Sequence, residues 1–169
     1  GYLMAFLSKH IQEAVDTWNR GGLVAMPTET VFGLAAPIDR LDLVKKIFSF
    51  KERPFFDPLI VHVSSLEEAR QCTATWSTLT QTLAKKFWPG PLTLVLLKNE
   101  KVNDLITSGL STVGVRMPQH TVALELIQEI GMPLAAPSAN KFTKTSPTHQ
   151  EHVLENFEEE DICVLASSP

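Results

Sequence analysis

Two cations one residue apart, Lys51 and Arg53, stand in the stretch KERPFFDP, and the second is followed at once by Pro54. Proline biases the residue before it toward extended backbone, where side chains two positions apart project to the same side. The pair therefore converges on one spot. An ammonium beside a guanidinium is settled by an anion between them, and phosphate suits both, lysine as a point charge and arginine as a two-pronged donor. The competing reading is the polar C-terminal end of a preceding helix, whose dipole favours cations.

Three further groups have types and positions that suit ligand chemistry. His62 lies in LIVHV, where it shares a strand face with Ile60 while Leu59, Val61 and Val63 take the other. A strand histidine serves as a satisfied core or edge residue as readily as a ligand contact. Arg116 ends the apolar run VGVR just before Met117 and Pro118, and an arginine buried beside such a strand calls for an anionic partner. In PSAN, Ser138 and Asn140 offer donors to a phosphate or ribose, or simply make a turn. Beyond them Ser146 precedes Pro147, and Thr148 with Glu151 three residues on reads as a helix N-terminus, which itself welcomes an anion. Neither GxGxxG nor GxxxxGK[ST] occurs in the chain, so a nucleotide would be held without the two common phosphate cradles.

The elements that must carry these residues are legible as periodicity. Phe6 to Arg20 repeats apolar positions at helical spacing, with Ser8 as a candidate cap and Gly21-Gly22 as a stop. LVAM reads as a strand, and Pro27 to Pro37 as a loop rich in turn formers. Leu41, Val44, Ile47 and Phe48 restart the helical period. LIVHV is a strand, and Ser65 with Glu68 forms a capping box that opens a helix at LEEARQ. Trp76 to Phe87 reads as a helix ending at WPGP. LTLVLL and TVGVRM read as strands, TVALELIQEIG as a helix with a glycine stop, PLAAPSAN as a short strand running into a loop, and DICVL as a last strand. Strands alternating with helices of about ten residues predict an α/β domain, and several connections are too short for helical crossovers, so the sheet is expected to be mixed.

Composition bounds the rest. A chain of 169 residues with 44% hydrophobic and 20% charged residues fits one globular domain. A net charge of −4 argues against a protein whose main task is gripping a nucleic-acid backbone. Cys72 and Cys163 lack metal-type spacing and read as reduced thiols. No apolar run approaches the roughly 20 residues of a membrane-spanning helix. The opening GYLMAFL lacks the basic and long apolar regions of a secretory signal, with Met4 as a candidate native start. The expectation is a cytoplasmic protein without membrane contact. The acidic run ENFEEED reads as a solvated helix end or turn.

Taken together and in order, PTETVFGLAA, KERPFFDPLIVHV, FWPGPLTLVL, TVGVRMP and PLAAPSANKFTKTSPT, spanning Leu23 to Thr148, resemble the YrdC-type threonylcarbamoyl-adenylate synthase family. The resemblance implies a twisted mixed α/β sheet with flanking helices around a positively charged cavity. It implies an enzyme joining L-threonine, bicarbonate or CO₂, and ATP with Mg²⁺ into threonylcarbamoyl-AMP and pyrophosphate. Partner proteins would then carry the threonylcarbamoyl group to tRNA. By motif, Thr30 and His62 would contact threonine and Arg116 its carboxylate, while Lys51, Arg53, Asp57, Thr112, Ser138, Asn140 and Ser146 would surround the nucleotide. Lys51 and Arg53 would be the catalytic cations, steadying the departing pyrophosphate.

Two departures accompany the resemblance. The family commonly carries asparagine where this chain has Asp57, and a carboxylate there repels phosphate unless it turns to Lys51, Arg53 or a metal. Residues 1–169 are expected to form one YrdC-like domain without the family's C-terminal closing segment. Two alternatives remain at this level. One is a module binding double-stranded RNA or tRNA directly, and the other is a YrdC-like domain that transfers carbamoyl groups.

Overall fold

The computed structural model describes residues 5–27, 32–50, 57–137 and 162–165. These residues form an α/β fold with one mixed eight-stranded sheet and flanking helices. The strands are β1 (Ala5–Ser8), β2 (Leu23–Pro27), β3 (Phe32–Pro37), β4 (Ile60–His62), β5 (Leu94–Leu97), β6 (Thr112–Arg116), β7 (Leu134–Ala136) and β8 (Ile162–Leu165). The helices are α1 (Ile11–Asn19), α2 (Leu41–Phe50), α3 (Leu66–Gln71), α4 (Thr78–Phe87) and α5 (Thr121–Ile130).

Strand order is β1-β8-β2-β3-β7-β4-β6-β5. The β1–β8, β2–β8 and β4–β6 pairs are parallel, and the β2–β3, β3–β7, β4–β7 and β5–β6 pairs are antiparallel. β2 and β3, separated by only a few residues in the chain, pair antiparallel, as so short a connection requires.

Local chemistry explains several of the helix ends. Ser65 accepts a hydrogen bond from the Glu68 N–H at 3.1 Å, and Glu68 Oε1 accepts from the N–H and hydroxyl of Ser64 at 2.7 and 2.6 Å. The expected box thus closes one residue early. Gly131, at φ 70°, ends α5 in the left-handed conformation that glycine adopts without penalty. Trp18, 2% exposed, donates its indole N–H to the Ala35 carbonyl at 3.0 Å and so pins α1 to β3. Phe48, Leu34, Leu59, Ile106 and Leu126 fill the surrounding core.

Two expectations are corrected. Phe6 to Ser8 belongs to a strand, not to the first helix, because β8 offers residues 5–8 a parallel partner. Ser8 is accordingly not the N-cap, which is His10. The Ser8 hydroxyl instead accepts from the His10 N–H at 3.0 Å and donates to Glu13 Oε1 at 2.9 Å, bracing the first turn from outside. The expected loop from Pro27 to Pro37 contains β3, whose small residues Gly33, Ala35 and Ala36 are held between β2 and β7. The expected helix start at Thr148 and the run ENFEEED lie outside the described residues.

Candidate functional site

The site begins with two adjacent strands. β4 and β6 run parallel, with Ile60 opposite Gly114 and His62 opposite Arg116. Paired residues of neighbouring strands project to the same face, with backbones about 5 Å apart. The structure thus brings His62 and Arg116 side by side at the C-terminal ends of the two strands. Loops at strand ends are where ligands gather in α/β sheets.

The burial pattern shows which face is which. Leu59, Val61, Val63, Val113 and Val115 are at most 1% exposed and form the core side. On the other side His62 is 3% exposed, while Ile60, Thr112, Gly114 and Arg116 are half-buried and Val95 on β5 is exposed. Thr112, Gly114 and Arg116 form one row along this face, and four strand residues place Thr112 roughly 13 Å from Arg116. Asp57 precedes β4 in the chain and is half-buried. Among the described candidates, His62 and Arg116 therefore share one end of this face and Thr112 stands at the other.

Both residues at the first end have fixed geometry. His62 Nδ1 is 3.1 Å from the Ile60 carbonyl. A carbonyl only accepts, so Nδ1 is the donor in this contact. Arg116 donates from Nε to the Gly90 carbonyl at 2.9 Å, and its own carbonyl accepts from the Val63 N–H at 2.9 Å. The strand pairing thus continues to the residue whose side chain leaves the sheet.

Lys51, Arg53, Thr30, Ser138, Asn140 and Ser146 lie outside the described residues. Gly90 is the contributor that sequence reasoning missed; the available signal was a glycine between two prolines in WPGP. A separate groove of about 440 Å³ runs between α1 and α5, lined by Ile11, Gln12, Glu125, Gln128 and Glu129. It includes none of the candidates, and its two carboxylates make it a poor host for a triphosphate. Among the described residues no three His, Cys, Asp or Glu side chains gather to hold a metal, and no helix is long and apolar enough to cross a membrane.

A single α/β domain whose mixed sheet presents a histidine and an arginine together at parallel strand ends is the class these features define. Within that class, the chain belongs to the Sua5/YciO/YrdC family, whose pattern, described as "Telomere recombination", matches residues 16–169. It is 45% identical to the threonylcarbamoyl-AMP synthase of Pyrococcus abyssi, over 92% of this chain and 48% of that protein. It is also 45% identical to the threonylcarbamoyl-AMP synthase of Bacillus subtilis, over 88% of this chain and 43% of that protein. The chain thus spans less than half the length of these two curated relatives. The crystal structure of P. abyssi Sua5 complexed with L-threonine matches with a TM-score of 0.87 and 43% identity, covering 99% of this chain and 51% of that one.

Proposed function

We propose that this chain forms threonylcarbamoyl-AMP from L-threonine, bicarbonate or CO₂, and ATP, with release of pyrophosphate. The observation that carries the reading is the pairing of His62 with Arg116 across β4 and β6, in a chain 45% identical to synthases bearing that name. Arg116 supplies a planar fork for the amino-acid carboxylate, and His62 lines the same end.

Thr30 joins that end, and the row through Gly114 to Thr112 leads toward the nucleotide. There Lys51, Arg53, Asp57, Ser138, Asn140 and Ser146 surround the base, ribose and phosphates, with Lys51 and Arg53 as the catalytic cations. Threonine's amine takes up CO₂ as a carbamate, whose oxygen attacks the α-phosphate while pyrophosphate leaves. Placement and cations supply most of what the step needs. Bound with ATP, Mg²⁺ would offset negative charge on the triphosphate. The product passes to partner proteins that transfer the threonylcarbamoyl group to tRNA, in the cytoplasm.

The test is pyrophosphate release with each component left out in turn. Release should require ATP, L-threonine and bicarbonate together, and release indifferent to threonine removes the proposal.

A further inference from the structure

We infer that the loop from Trp88 to Leu92 is the seat that aims Arg116, which makes Gly90 and Trp88 positioning residues for the carboxylate end of the ligand; this rests on the role proposed above for Arg116. The motif FWPGP does more than end α4, since its glycine touches the end of β6 in a specific way.

Gly90 grips the C-terminal end of β6 and the residue after it. Its N–H donates to the Met117 carbonyl at 2.9 Å, and its carbonyl accepts from Arg116 Nε at 2.9 Å. One residue thus fixes both the strand end and the side chain that leaves it. An arginine on its flexible stem has considerable rotamer freedom to lose, and a backbone acceptor at Nε removes much of it before any ligand arrives. A carbonyl also orients a guanidinium without neutralising it.

The seat is itself held from both sides. The Trp88 N–H donates to the Ala84 carbonyl at 2.9 Å, tying the loop to the last turn of α4. The Trp88 side chain is 8% exposed, and its indole N–H donates to the Leu92 carbonyl at 2.7 Å, so the loop closes on itself. Pro89 and Pro91 restrict the backbone on either side of Gly90. Only glycine fits between them, because a Cβ at position 90 would stand 2.5 Å from the Phe87 carbonyl oxygen. A misplacement of about 1 Å at a binding group costs up to 10²-fold in a reaction. A loop that sets one guanidinium this closely therefore bears directly on carboxylate recognition.

The experiment uses Trp88→Phe, which keeps an aromatic side chain and removes the indole N–H that bonds Leu92, and Gly90→Ala, with Arg116→Lys as the reference. Solvent exchange of the Arg116 Nε–H is followed by ¹⁵N NMR, the signal being the one lost in Arg116→Lys. It should be protected in the unaltered protein and exchange about tenfold faster in both loop variants. L-Threonine and L-threoninamide are then titrated in the presence of ATP. Both loop variants should bind threonine about tenfold more weakly while threoninamide and ATP affinities hold, so the preference for a carboxylate collapses. General damage to the fold would weaken all three ligands together and would count against the inference.

An Arg116 Nε–H that exchanges as freely as that of an unfolded chain overturns the seat, as does full retention of the carboxylate preference in both loop variants. If Arg116→Lys itself leaves threonine affinity unchanged, the role of Arg116 fails, and the exchange measurement decides the seat alone.

Discussion

Replacing Gly114 by alanine should leave the fold nearly as stable as before and impair ligand binding. A Cβ at this position of β6 would lie 2.9 Å from Ile60 Cδ1 and 3.1 Å from Thr93 Cγ2. Both neighbours are methyl ends of half-buried side chains, so they yield by rotating rather than by moving backbone. An off-rotamer adjustment of that kind costs about 0.5–1.5 kcal/mol. Against it stands the reduced freedom of the unfolded chain, which favours alanine by about 0.4–1 kcal/mol. The two nearly offset, and a net change within about 1 kcal/mol shifts the melting temperature by no more than about 4 °C in a chain of this size. The added methyl nevertheless stands in the row between Arg116 and Thr112. A ligand spanning those two residues must pass over it, and a loss of about tenfold in affinity, or about 1.4 kcal/mol, is expected. Valine adds two further methyls, and overpacking of about 1–3 kcal/mol should then appear in stability as well. Thermal melts paired with calorimetric titration of ATP, with threonine present, read both quantities. A fall in melting temperature beyond about 8 °C for alanine, or unchanged affinity for both variants, refutes the reasoning.

Trp18→Phe should cost about 2–4 kcal/mol in urea unfolding, because it removes the buried bond to the Ala35 carbonyl and leaves a void where α1 meets β3; a loss under about 1 kcal/mol would show that the contact contributes little. Burial, reinforced by the Glu68 carboxylate, pushes the Cys72 thiol up to about 11, so alkylation near pH 8 should be slow in the folded protein and fast once it is unfolded. A folded pKa above the unfolded one means the native state holds its proton longer, so stability should fall as pH rises from about 9 toward 11. Cys72→Ala should flatten that decline, and an unchanged slope would contradict the assignment.

What could be read in advance depended on how local its cause was. The Ser65 cap, the glycine stop after α5 and the alternation in LIVHV are encoded within a few residues, and each appears where its chemistry requires. AFLS is different: its apolar residues fit a helix as well as a strand. The decision rests with β8, whose Ile162 pairs with Ala5 far along the chain. FGLAAP hides a central strand for a similar reason, since Gly33 and two alanines carry weak strand preference and are held by β2 and β7. At the site, His62 and Arg116 each stood out singly, but their adjacency follows from the parallel register of β4 and β6, which no local pattern states. Gly90 acts through its carbonyl, and a backbone acceptor leaves no mark in residue type.

The placement of β8 between β1 and β2 also matters for how the chain is made. β2 exposes an edge of Leu23, Val24 and Ala25 that β8 must cover, and roughly 135 residues separate the end of β2 from the start of β8. A ribosome adding about 5–20 residues per second needs roughly 7–27 s to deliver the covering strand. Throughout that interval an apolar strand edge stands open on the nascent chain, a template for pairing with any extended segment nearby. β1 waits longer still, since β8 is its neighbour in the sheet and it emerges first. Slow codons or crowded polysomes would lengthen the exposure, so the yield of folded protein should depend on translation speed and on chaperones that shield strand edges.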